Sequence, residues 1–573
     1  MHPASSVLHT LQHVKSYLAT NLSLSNLEAT RIFHKKFYNI LGFLSVKLSS
    51  LSQCVTKFVK QSYWLLVFQS NPFIVQLIYF MTISFAGFLA LKNLKPQGKP
   101  VPRDLDLMFT SVSTVTVSSM STIQMEDLSD QQLWVLILLM LLGGEVFTSM
   151  LGLHFSNAKA NHEELSQISL RSTSRDIESS ISANNRDQIN MECGQSEAVI
   201  SHNQILQSNN TRHSSRTIMA HIVTGYFLAT VACSSVVIII YFCINSDARQ
   251  VLESKKIKIC TFSIFTAVSS FANCGFTPLN SNMQAFRKNS TLLLLLIPQI
   301  LAGNTLFSPL LRLSLWILGK ISGKQEYAHI LRHPEETGYK HVHTQRHSVS
   351  IVLTVTGLIL LQLMFVCSFE WGSKAFEDMN LFQKLAGTLF QSVNTRQAGE
   401  TAVDISSFSS SVLLLFAIVM YLPSDTSFLP SIADNQSLAD KNPRSRAMWK
   451  NFTITSTACL ALFTFLACIT ERKSMSADPL NFNTFSIVFE VTSAFGNVGY
   501  SLGYSCEKLL KPDTNCKAAS YGFVGWWTDE GKLIIILVMF IGRLKKFIIK
   551  EEKLECARKT PHQRVEVARL QTP

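Results

Sequence analysis

Four short polar segments interrupt the long apolar runs of this chain, and they constrain its fold more than any other feature. The two clearest are Ser269–Phe276 (SSFANCGF) and Ser493–Tyr500 (SAFGNVGY), which both end in a polar residue, a small apolar residue, glycine and an aromatic residue. Two weaker copies end at Ser118 and Gly399, after approaches rich in Ser or Thr. The chain is therefore predicted to repeat one structural unit four times.

The surroundings of these segments predict a pore. Non-helical backbone inside a bilayer is tolerated only where protein buries it or where it lines a water-filled cavity. Four such breaks around one axis satisfy that condition. The fold class expected is an all-α polytopic membrane protein with four membrane–pore-loop–membrane units. These units supply eight transmembrane helices and four re-entrant pore helices, in a pseudo-fourfold arrangement around one pore.

Composition favours a membrane protein over a soluble or nucleic-acid-binding one. Of the 573 residues, 47% are hydrophobic and only 16% are charged, which is typical of one polytopic domain. The 51 Lys and Arg exceed the 38 Asp and Glu, and the basic residues fall mostly between apolar runs, as cytosolic linkers require. No nucleic-acid partner is expected. The first residues lack the compact apolar core of a signal peptide, so the N-terminus is expected in the cytosol. Eight spans then return the C-terminus to the cytosol as well.

The apolar runs also divide the chain into domains. Residues 157–216 are rich in Ser, Asn and charge and nearly free of aromatics, which is typical of disorder. The predicted spans are 73–91, 133–155, 218–244, 292–313, 349–367, 412–429, 452–469 and 533–549. The predicted domains are a cytosolic or interfacial segment at 1–70, unit A at 71–156, a disordered cytosolic linker at 157–216, unit B at 217–318, a basic cytosolic linker at 319–347, unit C at 348–430, a cytosolic linker at 431–450, unit D at 451–550 and a cytosolic tail at 551–573.

The four triplets have the chemistry of a cation selectivity filter. Fixed backbone carbonyls can replace the water of a bare cation, and glycine allows the φ angles that bring such carbonyls to one side. Gly275, Gly399 and Gly499 fit this role, and Ser118 takes the fourth place. The short helix before each triplet would direct its partly negative C-terminus at the axis, which favours cations. The filter is flanked by Val117, Asn273, Cys274, Ala398, Asn497 and Val498.

At these residues the chain resembles the plant high-affinity potassium transporter (HKT) family, part of the Trk/Ktr/HKT superfamily of cation transporters. The resemblance extends from about Phe73 to the C-terminus and is carried by TVSSMST at 116–122, GGEVF at 143–147, NCGFTP at 273–278, NTRQAGET at 394–401, GNVGY at 496–500 and GRLK at 542–545. It implies four units around one pore and a homodimer with one pore per subunit.

The same resemblance bears on the ion. The sodium-selective subgroup of the family carries serine at the first filter position, where other members carry glycine and also move potassium. Ser118 therefore indicates sodium, and Asn273 is similar to a residue near the second filter of sodium-preferring members. Gln397 stands where members more often carry His.

Several further residues are candidate parts of the pore. With a last helix starting near Gly531, Arg543 would lie about 18 Å deep, where an arginine is usually functional; the alternative is a side chain that snorkels to the interface. The resemblance favours a positive barrier in the pore. Lys532 is expected at the outer mouth and Glu400 at the entrance, with a solvated surface position as the alternative for each. Cys506 and Cys516 form a candidate disulfide if their segment is extracellular.

The function predicted is passive sodium-selective conduction across a plant plasma membrane. No enzyme activity, cofactor or metal is expected, apart from the transported Na⁺ and, in the alternative, K⁺. The nearest alternative is a Na⁺/K⁺ symporter or a K⁺ uptake transporter on the same scaffold. A membrane-embedded enzyme would need a cluster of acid, base or metal-ligating residues within the spans, which the sequence lacks. A receptor or scaffold with a closed pore is the remaining alternative.

Overall fold

The computed structural model describes residues 72–98, 101–158, 195–337, 339, 341–396, 398–422, 443–509 and 522–545. Within these ranges the regular structure is helical and no strand occurs. The chain is an all-α polytopic membrane protein built from four units, as predicted. Single turns of 3-10 helix lie at Met125–Asp127, Asn282–Phe286, Lys374–Phe376, Ile405–Ser407, Cys506–Lys508 and Phe523–Trp526.

Unit A has one long helix, a pore helix and a bent second span. Its helices are α1 (Pro72–Asn93), α2 (Asp104–Val115), α3 (Asp130–Gly143) and α4 (Glu145–Ala158). α3 and α4 meet at an angle of 55°. Ser129 and Gln132 form a capping box at the start of α3. The Gln132 side chain also donates to the Leu91 carbonyl at 3.0 Å, which fixes the end of the first span to the start of the second.

Unit B repeats this order. Its helices are α5 (Gln195–Ile244), α6 (Ser246–Ser254), α7 (Ile259–Ala272), α8 (Ser290–Ala302) and α9 (Phe307–Ser322). α8 and α9 form an 86° bend. The expectation of a disordered linker up to residue 216 is wrong for residues 195–216, because α5 already begins at Gln195. Extending a helix from a stable apolar span costs little compared with starting a new one.

Units C and D complete the repeat. Between units B and C, the linker contains α10 (Gln325–Arg332) and α11 (Pro334–Thr337). Unit C contains α12 (Gln345–Phe369), α13 (Leu381–Asn394) and α14 (Ser410–Tyr421). Unit D contains α15 (Pro443–Thr470), α16 (Arg472–Ala477), α17 (Thr484–Gly496) and α18 at residues 529–545.

Buried carboxylates connect the two spans in both of these units. Glu370 accepts a hydrogen bond from the Ser409 backbone N–H at 2.7 Å, just before α14. Glu471 accepts from the backbone N–H and the hydroxyl of Thr528, at 2.8 and 2.7 Å, just before α18. Each carboxylate therefore supplies an acceptor to the otherwise unpaired N–H groups at a helix start.

Three described helices are long and apolar enough to cross a membrane, namely Phe73–Asn93, Ser215–Ile244 and Gln345–Phe369. Five meet that test if each of the bent pairs α3–α4 and α8–α9 counts as one span. The other three predicted spans correspond to the shorter helix α14, to α15 with its apolar part at Ser456–Thr470, and to α18.

The pore helices α2, α7, α13 and α17 end where the four triplets begin. Glycines of the second spans let the chain pass close behind three of these ends. A Cβ built on Gly143, Gly303 or Gly542 would overlap the carbonyl oxygen of Val115, Phe271 or Phe495, respectively. These close contacts hold the ends of three pore helices against the second spans of their own units.

Candidate functional site

The four triplets form a ring of contacting backbone segments. A Cβ built on Gly275 would overlap the carbonyl oxygen of Ala398, and one on Gly399 would overlap that of Val498. A Cβ on Gly499 would overlap the carbonyl oxygen of Ser118. Unit B thus contacts unit C, unit C contacts unit D, and unit D contacts unit A through equivalent positions. The three glycines stand where a side chain would push neighbouring carbonyls apart.

The fourth member of this ring is Ser119 rather than Ser118. Ser119 has a left-handed φ of 55°, as do Gly275 at 76°, Gly399 at 68° and Gly499 at 94°. The predicted register of the first triplet is therefore wrong by one residue.

Hydrogen bonds at the ends of the pore helices in units A, B and D give the same register, whereas in unit C the bond of this kind comes from Gly399 itself, at 3.2 Å. The backbone N–H of Ser118 donates to the carbonyl five residues earlier, at 2.8 Å, and so do those of Cys274 and Val498, at 2.9 and 3.0 Å. Ser118 therefore corresponds to the residue before the glycine. Its carbonyl, like those of Ala398 and Val498, faces the next segment of the ring.

The two adjacent serines differ in what their hydroxyls contact. The Ser118 hydroxyl is fully buried and lies 2.8 Å from the Thr116 hydroxyl and 2.7 Å from the Asn497 amide nitrogen. The Ser119 hydroxyl has no hydrogen-bond partner within the described part of the chain, and Ser119 lines the cavity outside the ring. Of these two hydroxyls, only that of Ser119 lies beside the cavity without a partner among the described residues.

The cavity outside the ring has contributions from all four units. In each unit, the residue two positions after the ring residue carries a hydroxyl and lines this cavity. These residues are Ser121, Thr277, Thr401 and Ser501. Asn282 closes one side, because its amide nitrogen lies 3.3 Å from the Gly275 carbonyl oxygen. Oxygen ligands suit hard monovalent cations, so this polar vestibule can receive a partly hydrated ion.

Asn273 and Asn497 occupy equivalent positions at the ends of their pore helices. Both are left-handed, with φ of 58° and 54°, which Asn tolerates better than most residues. The Asn273 amide donates to the Phe271 carbonyl of its own unit at 3.1 Å. Val117 has the same backbone conformation in unit A, with a φ of 50°. Gln397 in unit C lies outside the described residues.

Glu400 does not stand at the pore entrance as predicted. Its side chain is fully buried, and Oε1 accepts a hydrogen bond from the Ser270 hydroxyl at 2.7 Å. Its backbone N–H donates to the Asn394 side chain at 3.2 Å. The carboxylate thus lies behind the ring, between units C and B, because the chain turns it away from the cavity.

Lys532 is likewise buried rather than exposed at the outer mouth. Its ammonium group lies 2.8 Å from Asp106 Oδ1, and Asp106 Oδ2 lies 3.0 Å from Nε of Arg103. Arg103 also pairs with Asp529 at 3.0 Å. The hydrogen bond that Arg103 donates to Asp106 is the main reason why the pKa of Arg103 lies above its ordinary value. This row of four charges joins unit D to unit A.

Arg543 is buried and does not snorkel. Its guanidinium donates to the carbonyl of Gly143, at the bend between α3 and α4, and lies 5.7 Å from the centre of the Phe80 ring. Two residues later, Lys545 donates to the Phe495 carbonyl at the end of α17, at 3.0 Å. Arg543 and Lys545 therefore both contact backbone carbonyls close to the ends of pore helices.

Sequence reasoning missed Glu490. This fully buried residue lies on the pore helix α17, and Oε1 accepts from the Ser501 hydroxyl at 2.6 Å and from the Leu502 N–H at 2.9 Å. It therefore holds the segment that follows Gly499. A single charged residue within an otherwise uncharged pore helix was the available signal.

Cys506 is disulfide-bonded. Its predicted partner, Cys516, lies outside the described residues, so the pairing of these two cysteines stays a prediction.

Comparison with known proteins gives consistent matches. Residues 201–433 and 427–549 match the family model described as "TrkH: Cation transport protein". The chain is 69% identical to "Cation transporter HKT1;1" of Oryza sativa subsp. japonica, over 96% of this chain and all of that one. It is 43% identical to "Sodium transporter HKT1" of Arabidopsis thaliana, over 80% of this chain and 90% of that one. The crystal structure of the potassium transporter TrkH from Vibrio parahaemolyticus is similar with a TM-score of 0.47 and 14% identity, over 84% of each chain.

Proposed function

This chain belongs to the HKT cation transporters of the Trk/Ktr/HKT superfamily and transports cations, and we propose that the ion it selects is sodium. Transport is passive, down the electrochemical gradient. The protein lies in the plasma membrane with both termini in the cytosol, and two copies form a homodimer with one pore each.

The observation that carries this proposal is the unpaired hydroxyl of Ser119 in the ring position that three glycines otherwise occupy. At this position a Cβ and a hydroxyl replace the bare backbone of glycine. They make one quarter of the ring narrower and different from the other three. Potassium is the larger ion and needs oxygens from all sides at a fixed distance, so an uneven and narrowed ring disfavours it. The carbonyls and hydroxyl together still offer oxygens to the smaller sodium ion.

The name of one relative supports the same choice of ion. The Arabidopsis protein that is 43% identical over 80% of this chain is called a sodium transporter.

An ion would cross the ring in three steps. It first enters the vestibule, where Ser121, Thr277 and Thr401 offer oxygens in place of part of its water. It then passes Ser119 and the three glycines, toward which the pore helices direct their partly negative C-termini. Beyond the ring it meets the positive field of Arg543, which limits conduction.

Two-electrode voltage clamp in oocytes tests the proposal. With bath sodium and potassium varied separately, the reversal potential is expected to follow sodium. A reversal potential that follows potassium alone would favour potassium uptake, and one that depends on both ions together would favour a symporter. Absence of current from protein that reaches the surface would favour a closed scaffold.

A further inference from the structure

A chain of hydrogen bonds connects the first pore helix, α2, to α18 through the ring. The Thr116 hydroxyl donates to the Val112 carbonyl at 2.8 Å. Because that hydrogen is engaged, the 2.8 Å contact between Thr116 and Ser118 is a bond that the Ser118 hydroxyl donates. The Ser118 oxygen then accepts from the Asn497 amide at 2.7 Å. The same amide group donates to the Met539 carbonyl in α18 at 3.0 Å.

These contacts involve the two backbone segments that meet at the A–D junction of the ring. The Ser118 carbonyl lies against Gly499, and Asn497 is two residues before Gly499 in the chain. Ser118 is fully buried and Asn497 is half-buried, so water has no access to the Ser118 hydroxyl when its partner is lost. A buried polar network holds its members rigidly only while each member is paired.

We propose that the side chains of Ser118 and Asn497 form a brace that fixes the width of the ring between units A and D. They are positioning residues for ion selectivity, distinct from Ser119, which faces the ion. The proposal rests on the ring being the selectivity filter, but it does not depend on which ion the wild-type protein prefers.

The equivalent asparagine in unit B does not make such a connection. Asn273 has nearly the same backbone φ as Asn497, 58° against 54°, yet its amide donates to Phe271 within its own unit. A hydrogen bond between side chains therefore joins unit D to unit A where these two units meet in the ring. Asn273 makes no such bond from unit B to unit C. Loss of the brace lets the Ser118 carbonyl move relative to Gly499, so the ring adapts to the larger ion.

The test is a double-mutant cycle on the permeability ratio PNa/PK. The ratio is measured from reversal potentials in oocytes for the wild type, Ser118→Ala, Asn497→Gly and the double variant. Glycine is chosen because it accepts the left-handed φ of Asn497. Each single change is expected to lower PNa/PK about fivefold, the factor that corresponds to one net hydrogen bond of about 1 kcal/mol. The double variant is expected to lower it no further than either single variant.

The matched control pairs Ser118→Ala with Asn273→Gly. Asn273→Gly removes an asparagine side chain from the same local conformation without touching the brace. The effects of Ser118→Ala and Asn273→Gly on PNa/PK are therefore expected to multiply. Surface biotinylation checks that each variant reaches the membrane. If Ser118→Ala does not, Ser118→Cys replaces it, since a thiol fills the space but bonds weakly, and the expected fall is the same.

Two results would overturn the brace. One is an unchanged PNa/PK in Ser118→Ala or Ser118→Cys. The other is a double variant whose fall in PNa/PK equals the product of the falls in Ser118→Ala and Asn497→Gly, as expected for the control pair. A wild-type protein that prefers potassium would contradict the sodium proposal alone, because the brace is judged by fold-changes relative to the wild type.

Discussion

The ammonium group of Lys532 lies 2.8 Å from Oδ1 of Asp106, and this contact joins α18 to the first pore helix, α2. Both side chains are nearly inaccessible, at 3% and 10% exposed. Arg103 contacts the second carboxylate oxygen. Removal of one member of an ion pair so well shielded from water strongly destabilises the protein, because the remaining charge stays buried without its partner.

The first prediction is therefore that Lys532→Met destabilises the protein by about 3 kcal/mol. This value is at the lower end of the range for a broken buried ion pair, because Arg103 still contacts Asp106. The measurement is the melting temperature of detergent-solubilised protein, followed by fluorescence-detected size exclusion. The control is Lys258→Met. Lys258 pairs with Asp130 at 3.0 Å, but the two side chains are 73% and 40% exposed, so the expected loss is at most about 1 kcal/mol. Equal losses in the two variants would contradict the structure.

The second prediction concerns the close packing of the ring. Gly399→Ala is expected to reduce the current at least about tenfold, the factor for ~1.4 kcal/mol, because Gly399 has a φ of 68° and a Cβ there would overlap the Val498 carbonyl. Current is compared at matched surface level. The control is Gly357→Ala in α12, where a Cβ meets no described atom within 4 Å and alanine favours the helix by ~0.5–1 kcal/mol. A conducting Gly399→Ala channel would show that the ring is looser than described.

The third prediction tests the register of the first triplet directly. Ser119 lines the outer cavity, whereas Ser118 is fully buried. A small, positively charged thiol reagent in the bath is therefore expected to block the current of Ser119→Cys and to leave Ser118→Cys unaffected. Wild-type current measured with the same reagent controls for the native cysteines. Block of Ser118→Cys without block of Ser119→Cys would restore the register expected from the sequence.

The pore helices were predictable because their signals are local. Each triplet directly follows a short helix, and Asn273 and Asn497 end two of these helices in a left-handed conformation. The register of the first triplet was harder, since Ser118 and Ser119 are the same residue type. One signal was present: a large apolar residue directly follows the ring position in three units, as Met120, Phe276 and Tyr500.

The surroundings of single charges could not be predicted in the same way. Lys532 is 426 residues from Asp106 along the chain, and Glu400 is 130 residues from Ser270. No local pattern encodes such partners. In the sequence, isolated charged residues such as Lys532 and Glu400 therefore look like residues at the entrance of a pore. Only the packing of the units shows that these two side chains lie between helices.

The most direct test of the central claim compares the reversal potential of the wild type with that of Ser119→Gly, under sodium and then potassium gradients. The wild type is expected to follow sodium. Ser119→Gly makes the ring four glycines, so it is expected to gain a potassium permeability of the same order as its sodium permeability. A wild-type reversal potential that follows potassium, or a Ser119→Gly channel that still excludes potassium, would contradict the assignment of selectivity to Ser119.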